Sequence, residues 1–514
     1  MMNGLKDFRT LPRFLDLLFL SCLGVYVFLG LSRVPFHGDE STFIRLSKDF
    51  AYLFQDRDVQ KVVYRKAPDF GSDEQYQRVL TGAANPLTIG LAWTAAGMDR
   101  SDINGFWRWY PRGADEWEYN VRAGNMPSEA LLNISRIPST LFTALSVFVV
   151  FAIAHLLSRS RPAAWLAAFL FAAAPAVLVN GRRAMQEGAM LLFTSLVVYA
   201  GLLLAREMRS GAPRRGMILL GYCLLGVFSG CALASKHTSA LILAPVFLAL
   251  AFHIARSPGG ERLPQENRAT RLRLLAGLSG SGLLGLSVFY LLMPVWWSFP
   301  LHWLMLLALS AFCFSIMIAG AGWKGRILRA LPAAAVIGLT LARPDAWISI
   351  CQPVRIIIAE RAALTRVHNS LGLDLPTFGS RLGEMADQML SARTQYYESL
   401  VWDTLEAEQS QIRAYEAAFL DGRGGGMAWG VILAALAVIG SAALVWQRRG
   451  WEGLFLALWL GVPALGLLIV NTLAWQRYYL ILIAPWSVLA GFAGVPLTSP
   501  ELWKRVRTLV AKPT

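Results

Sequence analysis

The sequence predicts an all-α, polytopic membrane protein with about twelve transmembrane helices and two large external loops that carry interfacial helices. Three observations predict it. Of 514 residues, 55% are apolar and only 16% charged, with mean hydropathy +0.46, which is the composition of a chain threaded through lipid. Runs of roughly 20 mostly apolar residues, enough to cross about 30 Å of hydrocarbon, recur along its length. Between them, basic residues gather in every second connection.

The expected spans lie near 14–32, 137–157, 163–180, 188–205, 217–234, 239–255, 274–293, 301–320, 330–348, 427–446, 452–471 and 479–495. The first follows Lys6, Arg9 and Arg13, like the start of a signal peptide. Arg33-Val34-Pro35 offers no small-residue cleavage site, so it reads as a retained helix. With the N-terminus inside, the cytoplasmic turns hold Arg159 and Arg161, then Arg206, Arg209, Arg214 and Arg215, then Arg256, Arg262, Arg268, Arg271 and Arg273. Lys324, Arg326 and Arg329 follow, then Arg448 and Arg449, then Lys504, Arg505 and Arg507 in the tail. Both termini are therefore expected in the cytoplasm of a bacterial inner membrane, and the net charge of +15 reads as contact with anionic lipid rather than nucleic acid. The five cysteines show neither a disulfide framework nor a zinc spacing.

This topology divides the chain into a catalytic membrane region, 1–348, an external cap, 349–426, and C-terminal helices with a cytoplasmic tail, 427–514. The membrane region includes an external loop, 33–134, whose apolar pieces 42–54 and 85–96 are too short to span and read as interfacial helices. The cap holds a polar helical stretch, 382–419, with Tyr396, Tyr397, Trp402 and Tyr415. No internal repeat relates the halves, which counts against a transporter built on duplicated bundles.

Chemistry is expected where charge meets the outer surface. Phe36-His37-Gly38-Asp39-Glu40-Ser41 lies a few residues beyond the first span, so its two carboxylates sit where a lipid-borne substrate presents its head group. Asp73-Glu74 and Asp115-Glu116 repeat the composition in the same loop, and position alone sets Asp39 apart. His37, Asp39 and Glu40 offer donors to a divalent metal, but one histidine and two acids from one segment fall short of a ligand set, and metal dependence stays open.

Positive charge in the outer turns breaks the charge rule. Arg182-Arg183, Lys236-His237 and Arg477 fall there, and a phosphate at the membrane surface would give them a partner; lipid phosphates, or pairing with Glu187, are the plainer alternatives. Trp296-Trp297, His302-Trp303, Trp475 and Tyr478-Tyr479 are placed as an interfacial aromatic belt, a few of which would line a groove for a sugar or a prenyl chain. P-loop, HExxH and nucleophile-elbow patterns are missing, and no Asp-x-Asp pair marks a nucleotide-sugar site.

Several segments, in order, resemble a known family: FHGDESTFIRLSKDFAYLF, NPLTIGLAW, NVRAGNMPSEALLNISRIPSTLFTAL, GRRAMQEGAMLLFTSLVVYAGLLLA, SGCALASKHTSALILAP, LMPVWWSFP and WQRYYLILIAPW. The sequence resembles the phospholipid-carrier-dependent glycosyltransferases of the GT-C superfold, relatives of protein O-mannosyltransferases and aminoarabinose transferases in glycosyltransferase families 39 and 83. The resemblance implies an inverting transfer in which Asp39 is general base on the acceptor hydroxyl and Glu40 its neighbour. It gives Arg183, Lys236 and Arg477 the cation role toward the departing polyprenyl phosphate, with Arg182 the alternative to Arg183. Glu187, His237, Trp296 and Tyr478 complete the expected substrate-binding set. The implied partners are a polyprenyl-phosphate-linked sugar, a glycan, lipid or protein acceptor, and membrane lipids. The sequence departs from the family in an extra apolar stretch, 330–348, before its second outer loop. A transporter or carrier-lipid flippase is the rival reading; a transporter would place ionisable residues at mid-membrane, whereas the acids here cluster at the outer surface.

Overall fold

The computed structural model describes residues 4–65, 74–109, 115–210, 212–256, 264–318, 323–343, 345–370, 375–390, 395–396, 406–418, 427–446, 450–471 and 473–496. Most of the described residues are helical, and no strand occurs among them. Eight helices are long and apolar enough to cross a membrane: Glu129–Ser158, Glu187–Met208, Arg215–Ser235, His237–Arg256, Arg268–Leu292, Leu301–Ile318, Gly450–Val470 and Gln476–Gly494. Ile327–Ala342 and Gly430–Val445 are apolar but shorter, and Gly4–Leu29 covers most of the first expected span. By length and hydropathy the described residues thus give eight spans, or nine with a bent pair, against about twelve expected.

The bent pair replaces the straight span expected at 163–180. Arg161–Ala172 and Pro175–Arg182 meet at 57°. Proline causes the break: Pro175 disfavours helical geometry in the residue before it, and Ala174 is extended at φ −66°, ψ 119°.

The chain forms two compact units. The first comprises Met1–His37, Ser139–Arg183 and Leu375–Thr514. Its helices approach closely through small residues. A Cβ on Gly491 would stand 2.7 Å from both the Ala163 carbonyl oxygen and the Ala167 Cβ, and Leu170, Leu433, Ala437 and Ala490 pack together nearby. Arginines cap helix ends from a distance: Arg381 donates to the Leu468 and Ile469 carbonyls at 3.2 and 3.0 Å, near the C-terminus of Gly450–Val470.

The second unit comprises Gly38–Pro138 and Ala184–Asp374. Glu187–Met208, Arg215–Ser235, Ala240–Arg256, Pro264–Leu292 and Pro300–Ile318 follow one another through short connections and so run alternately up and down. Gly226 and Gly230 let Arg215–Ser235 close on Pro264–Leu292, where a Cβ would meet the Ser281 and Gly285 carbonyl oxygens at 2.7 and 2.5 Å. Helix ends near residues 187, 235–240 and 292–300 consequently share one end of this bundle. The basic turns after Met208 and Arg256 lie at the other.

The expected interfacial pieces are helical. Gly38–Leu46, Lys48–Phe50 and a wider turn at Ala51–Gln55 cover the first, and Ala84–Ala95 covers the second. They pack on each other: Trp93 is fully buried and donates its indole N–H to Ser47 Oγ at 2.8 Å. In the second outer loop Gln352–Ser370, Phe378–Leu390 and Glu406–Ala418 are helical, while Tyr397 and Trp402 lie outside the described residues.

Candidate functional site

Asp39 and Glu40 open the helix Gly38–Leu46, where the helix dipole favours carboxylates. Successive helical residues point about 100° apart, so the two acids diverge. Glu40 is fully buried and accepts from Arg136 Nε and Nη2, both at 2.8 Å, and from the Ala184 backbone N–H at 2.8 Å. Arg136 is itself buried, so this is a forked, charge-assisted pair sealed from water. Asp39 is only half-buried. Glu40 is therefore an anchor, and Asp39 is the acid that solvent or a ligand can reach. Arg136 was not singled out from sequence because it sits at the edge of an apolar run, where a single arginine reads as a topology charge.

The start of this helix is clamped by the rest of the first outer loop. A Cβ on Gly38 would press to 2.7 Å from the Trp107 ring, which itself donates to Glu116 Oε1 at 2.9 Å. Asn104 Nδ2 reaches the Ser41 carbonyl at 3.1 Å and the Asn125 carbonyl at 3.1 Å. The other acidic pairs do different work. Asp115 caps Glu116–Arg122 by accepting from the Glu118 N–H at 2.9 Å, and Glu74 pairs with Arg45 and Arg78 at 2.8 and 3.0 Å. Asp73 lies outside the described residues. Arg78 also forks onto Asp49 at 2.7 and 2.6 Å; burial pushes the Asp49 carboxyl up despite the guanidinium beside it.

Lys236 follows Arg215–Ser235 and meets Glu187, the first residue of its helix, at 2.7 Å. Both are buried, and His237 and the fully buried Trp296 lie at the same end of the bundle. The structure thus joins two expected residues, Glu187 and Lys236, directly.

The remaining expected cations belong to the other unit. Arg182 is fully buried and donates Nε to the Val27 carbonyl at 2.8 Å, Nη2 to the Tyr26 carbonyl at 2.9 Å and Nη1 to the Tyr415 hydroxyl at 2.5 Å. It caps the last turn of Gly4–Leu29, and a side chain on Gly30 would collide with it. Arg183 donates to the Pro35 carbonyl at 3.2 Å and the Tyr396 carbonyl at 2.6 Å. The Phe36 N–H in turn donates to Gln411 at 3.0 Å, so two hydrogen bonds hold the segment at Pro35 and Phe36. Arg477 is half-buried, with its guanidinium over the rings of Trp475 at 5.0 Å and Tyr478 at 5.9 Å. Among the described residues, no group of three or more His, Cys, Asp or Glu side chains is placed to hold a metal ion.

Residues 116–320 match the family described as dolichyl-phosphate-mannose-protein mannosyltransferase. Along the whole chain, the archaeal oligosaccharyltransferase AglB from Archaeoglobus fulgidus, solved with an inhibitory peptide and a dolichol-phosphate, is similar at 12% identity and TM-score 0.51, covering 98% of this chain and 53% of that one. The chain has the GT-C membrane fold. It spans about half the length of that oligosaccharyltransferase. The S. cerevisiae protein O-mannosyltransferase Pmt1-Pmt2 complex bound to the sugar donor is similar at 14% identity and TM-score 0.38, over 54% of this chain and 34% of that one. ArnT from Cupriavidus metallidurans bound to undecaprenyl phosphate is similar at 14% identity and TM-score 0.34, over 97% and 81%. No curated protein matches the sequence. The family segment contains Arg136, Arg182, Arg183, Glu187, Lys236, His237 and Trp296; Asp39 precedes it.

Proposed function

We propose that this chain is an inverting glycosyltransferase that moves a sugar from a polyprenyl-phosphate carrier to an acceptor hydroxyl, with Asp39 as general base. The observation that carries the reading is the division of labour at the start of Gly38–Leu46. Glu40 is locked by Arg136 and the Ala184 N–H, which fixes the backbone, while the adjacent Asp39 stays half-exposed with its carboxylate favoured by the helix start. A base held on a rigid element has what acid–base catalysis needs, a fixed position within about 2.6–3.2 Å of a bound hydroxyl. Asp39 takes the hydroxyl proton as the acceptor oxygen attacks the anomeric carbon, and the carbon–phosphate oxygen bond breaks with its electrons leaving on the phosphate. Lys236 is the cation we assign to that departing charge. Arg183 and Arg477 both belong to the other unit.

The donor is membrane-bound, so the reaction belongs at the bilayer surface, and the basic turns at the opposite end of the bundle support an outer, periplasmic face with both termini cytoplasmic. The experiment is single-turnover transfer from defined polyprenyl-phosphate sugars by the purified protein. Asp39→Asn keeps the shape and removes the base, so turnover is expected to fall on the order of 10²–10⁴-fold with donor affinity retained. Wild-type turnover in Asp39→Asn would remove the base from Asp39.

A further inference from the structure

In the unit that carries Asp39, three chain segments converge on the turn at residues 82–85. The Gly82 N–H faces Gln186 Oε1 at 3.4 Å, which brings in Glu187. A Cβ on Gly82 would collide with the Ser235 and Ala234 carbonyl oxygens, so the turn lies directly against the helix end that leads into Lys236 and His237. The Ala83 N–H meets Met293 Sδ at 3.3 Å, just ahead of Trp296. Gly82, Ala83 and Met293 also border a small pocket whose charged wall is Asp49 and Arg78.

Each converging segment delivers buried polar atoms that no group among the described residues satisfies: Asn85 Oδ1 and Nδ2, Glu187 Oε2, both ring nitrogens of His237, and Trp296 Nε1. Asn85, Glu187 and Trp296 are completely buried. An unsatisfied buried polar atom is costly, so a concentration of them at one turn points to a ligand.

Their chemistry selects that ligand. Glu187 Oε2 only accepts, the Trp296 indole only donates, and Asn85 and an imidazole do both. A carboxylate or a fully ionised phosphate has no hydrogen for Glu187. An ammonium has nothing to accept from Trp296, and it would face Lys236 and Arg361, whose Nη2 donates to the Leu80 carbonyl at 2.6 Å. Neighbouring hydroxyls donate and accept at every position. Aromatic rings supply an apolar face: Tyr64 stands 5.8 Å from the Trp296 ring, and Phe289 lies edge-on to His237 at 6.1 Å. We propose that this turn builds the pocket that reads the sugar ring of the donor, with Asn85, His237 and Trp296 as specificity-determining side chains. The assignment rests on the carrier-linked sugar reading above.

The test is calorimetric binding of bare citronellyl phosphate and of its glucosyl, mannosyl, galactosyl and N-acetylglucosaminyl phosphodiesters to the full chain in detergent. At least one glycosylated form is expected to bind tenfold or more tightly than the bare phosphate. Asn85→Leu, close in size and apolar, should cut that preference below threefold, leave bare-phosphate affinity within twofold and not lower the melting temperature, since it removes only unsatisfied atoms. Trp296→Phe should also reduce the preference. Equal affinity of the wild type for bare and glycosylated forms would overturn the pocket while leaving the carrier reading standing. Loss of melting temperature in Asn85→Leu with unchanged sugar preference would make Asn85 structural and overturn it too. Binding of none of these probes would overturn the carrier reading and the pocket with it.

Discussion

The two units each carry a buried basic cluster, and the clusters differ in how completely their polar atoms are satisfied. Arg182 spends three donors on backbone carbonyls and a tyrosine hydroxyl, and Arg183 spends two on carbonyls. Around Lys236, beside its ion pair to Glu187, Glu187 Oε2, His237 and Asn85 keep atoms unsatisfied among the described residues. Charge against the positive-inside rule marked both clusters in the sequence. Satisfaction separates them: a cation whose donors are taken up by backbone holds the fold, whereas the unsatisfied atoms near Lys236 are what the proposed sugar pocket rests on.

The largest effect expected from this contrast lies at Arg136, the most completely engaged cation beside Asp39. Arg136→Gln leaves Glu40 a buried charge without its counter-ion, which should cost about 3–5 kcal/mol. The purified variant should melt far lower or fail to accumulate, and any protein recovered should still bind citronellyl phosphate. An unchanged melting temperature would make the pair dispensable to the fold and return Glu40 to the list of catalytic candidates.

Arg136 also shows where the sequence stops being legible. The helices were readable because membrane insertion demands long apolar runs: helical residues lie under the expected spans, although only eight or nine of them are long and apolar enough to cross among the described residues, and the helical character of 85–96 followed from its composition. The break before Pro175 was equally written in the residues, yet an unbroken apolar run hid it. Side-chain partners are another matter. Glu40 and Arg136 lie 96 residues apart, and Arg182 and Tyr415 lie 233 apart, so no local pattern couples them. Asn85 sits inside the recognised stretch NPLTIGLAW, but nothing in that stretch says that its amide would be buried without a partner. Asp39 could be preferred over Asp115 only by its distance from a span; the structure adds that Asp115 is a cap.

A smaller effect sharpens the comparison itself. Arg182→Gln removes hydrogen bonds to buried acceptors and should cost about 2–3 kcal/mol of stability, with donor affinity unchanged in the folded fraction. The paired change Lys236→Gln with Glu187→Gln leaves no lone buried charge, so the melting temperature should move little. Donor affinity should nevertheless fall tenfold or more, the loss of a charge-assisted contact of roughly 1.5–3 kcal/mol. Melting curves and carrier binding on the same samples decide it. If both variants lose stability and neither loses affinity, the distinction drawn between the two clusters is wrong.

The smallest effect is expected at Asp115, and it serves as the control for Asp39. The two residues have the same neighbour, glutamate, and both stand at a helix start, Asp39 as the second residue of Gly38–Leu46 and Asp115 as the cap before Glu116–Arg122, so composition cannot tell them apart. Asp115 is exposed, and its carboxylate accepts from the Glu118 N–H at 2.9 Å, which satisfies one of the free donors of the first turn of Glu116–Arg122. Loss of such a cap costs about 1 kcal/mol. Glu116 keeps its own contact to Trp107, which lies against Gly38, so the clamp on Gly38–Leu46 survives the change. Asp115→Ala should therefore lower the melting temperature by a few degrees at most and leave single-turnover transfer within about twofold of wild type, while Asp39→Asn on the same assay loses on the order of 10²–10⁴. A loss of transfer in Asp115→Ala as deep as that in Asp39→Asn would mean that the base had been placed on the wrong acidic pair.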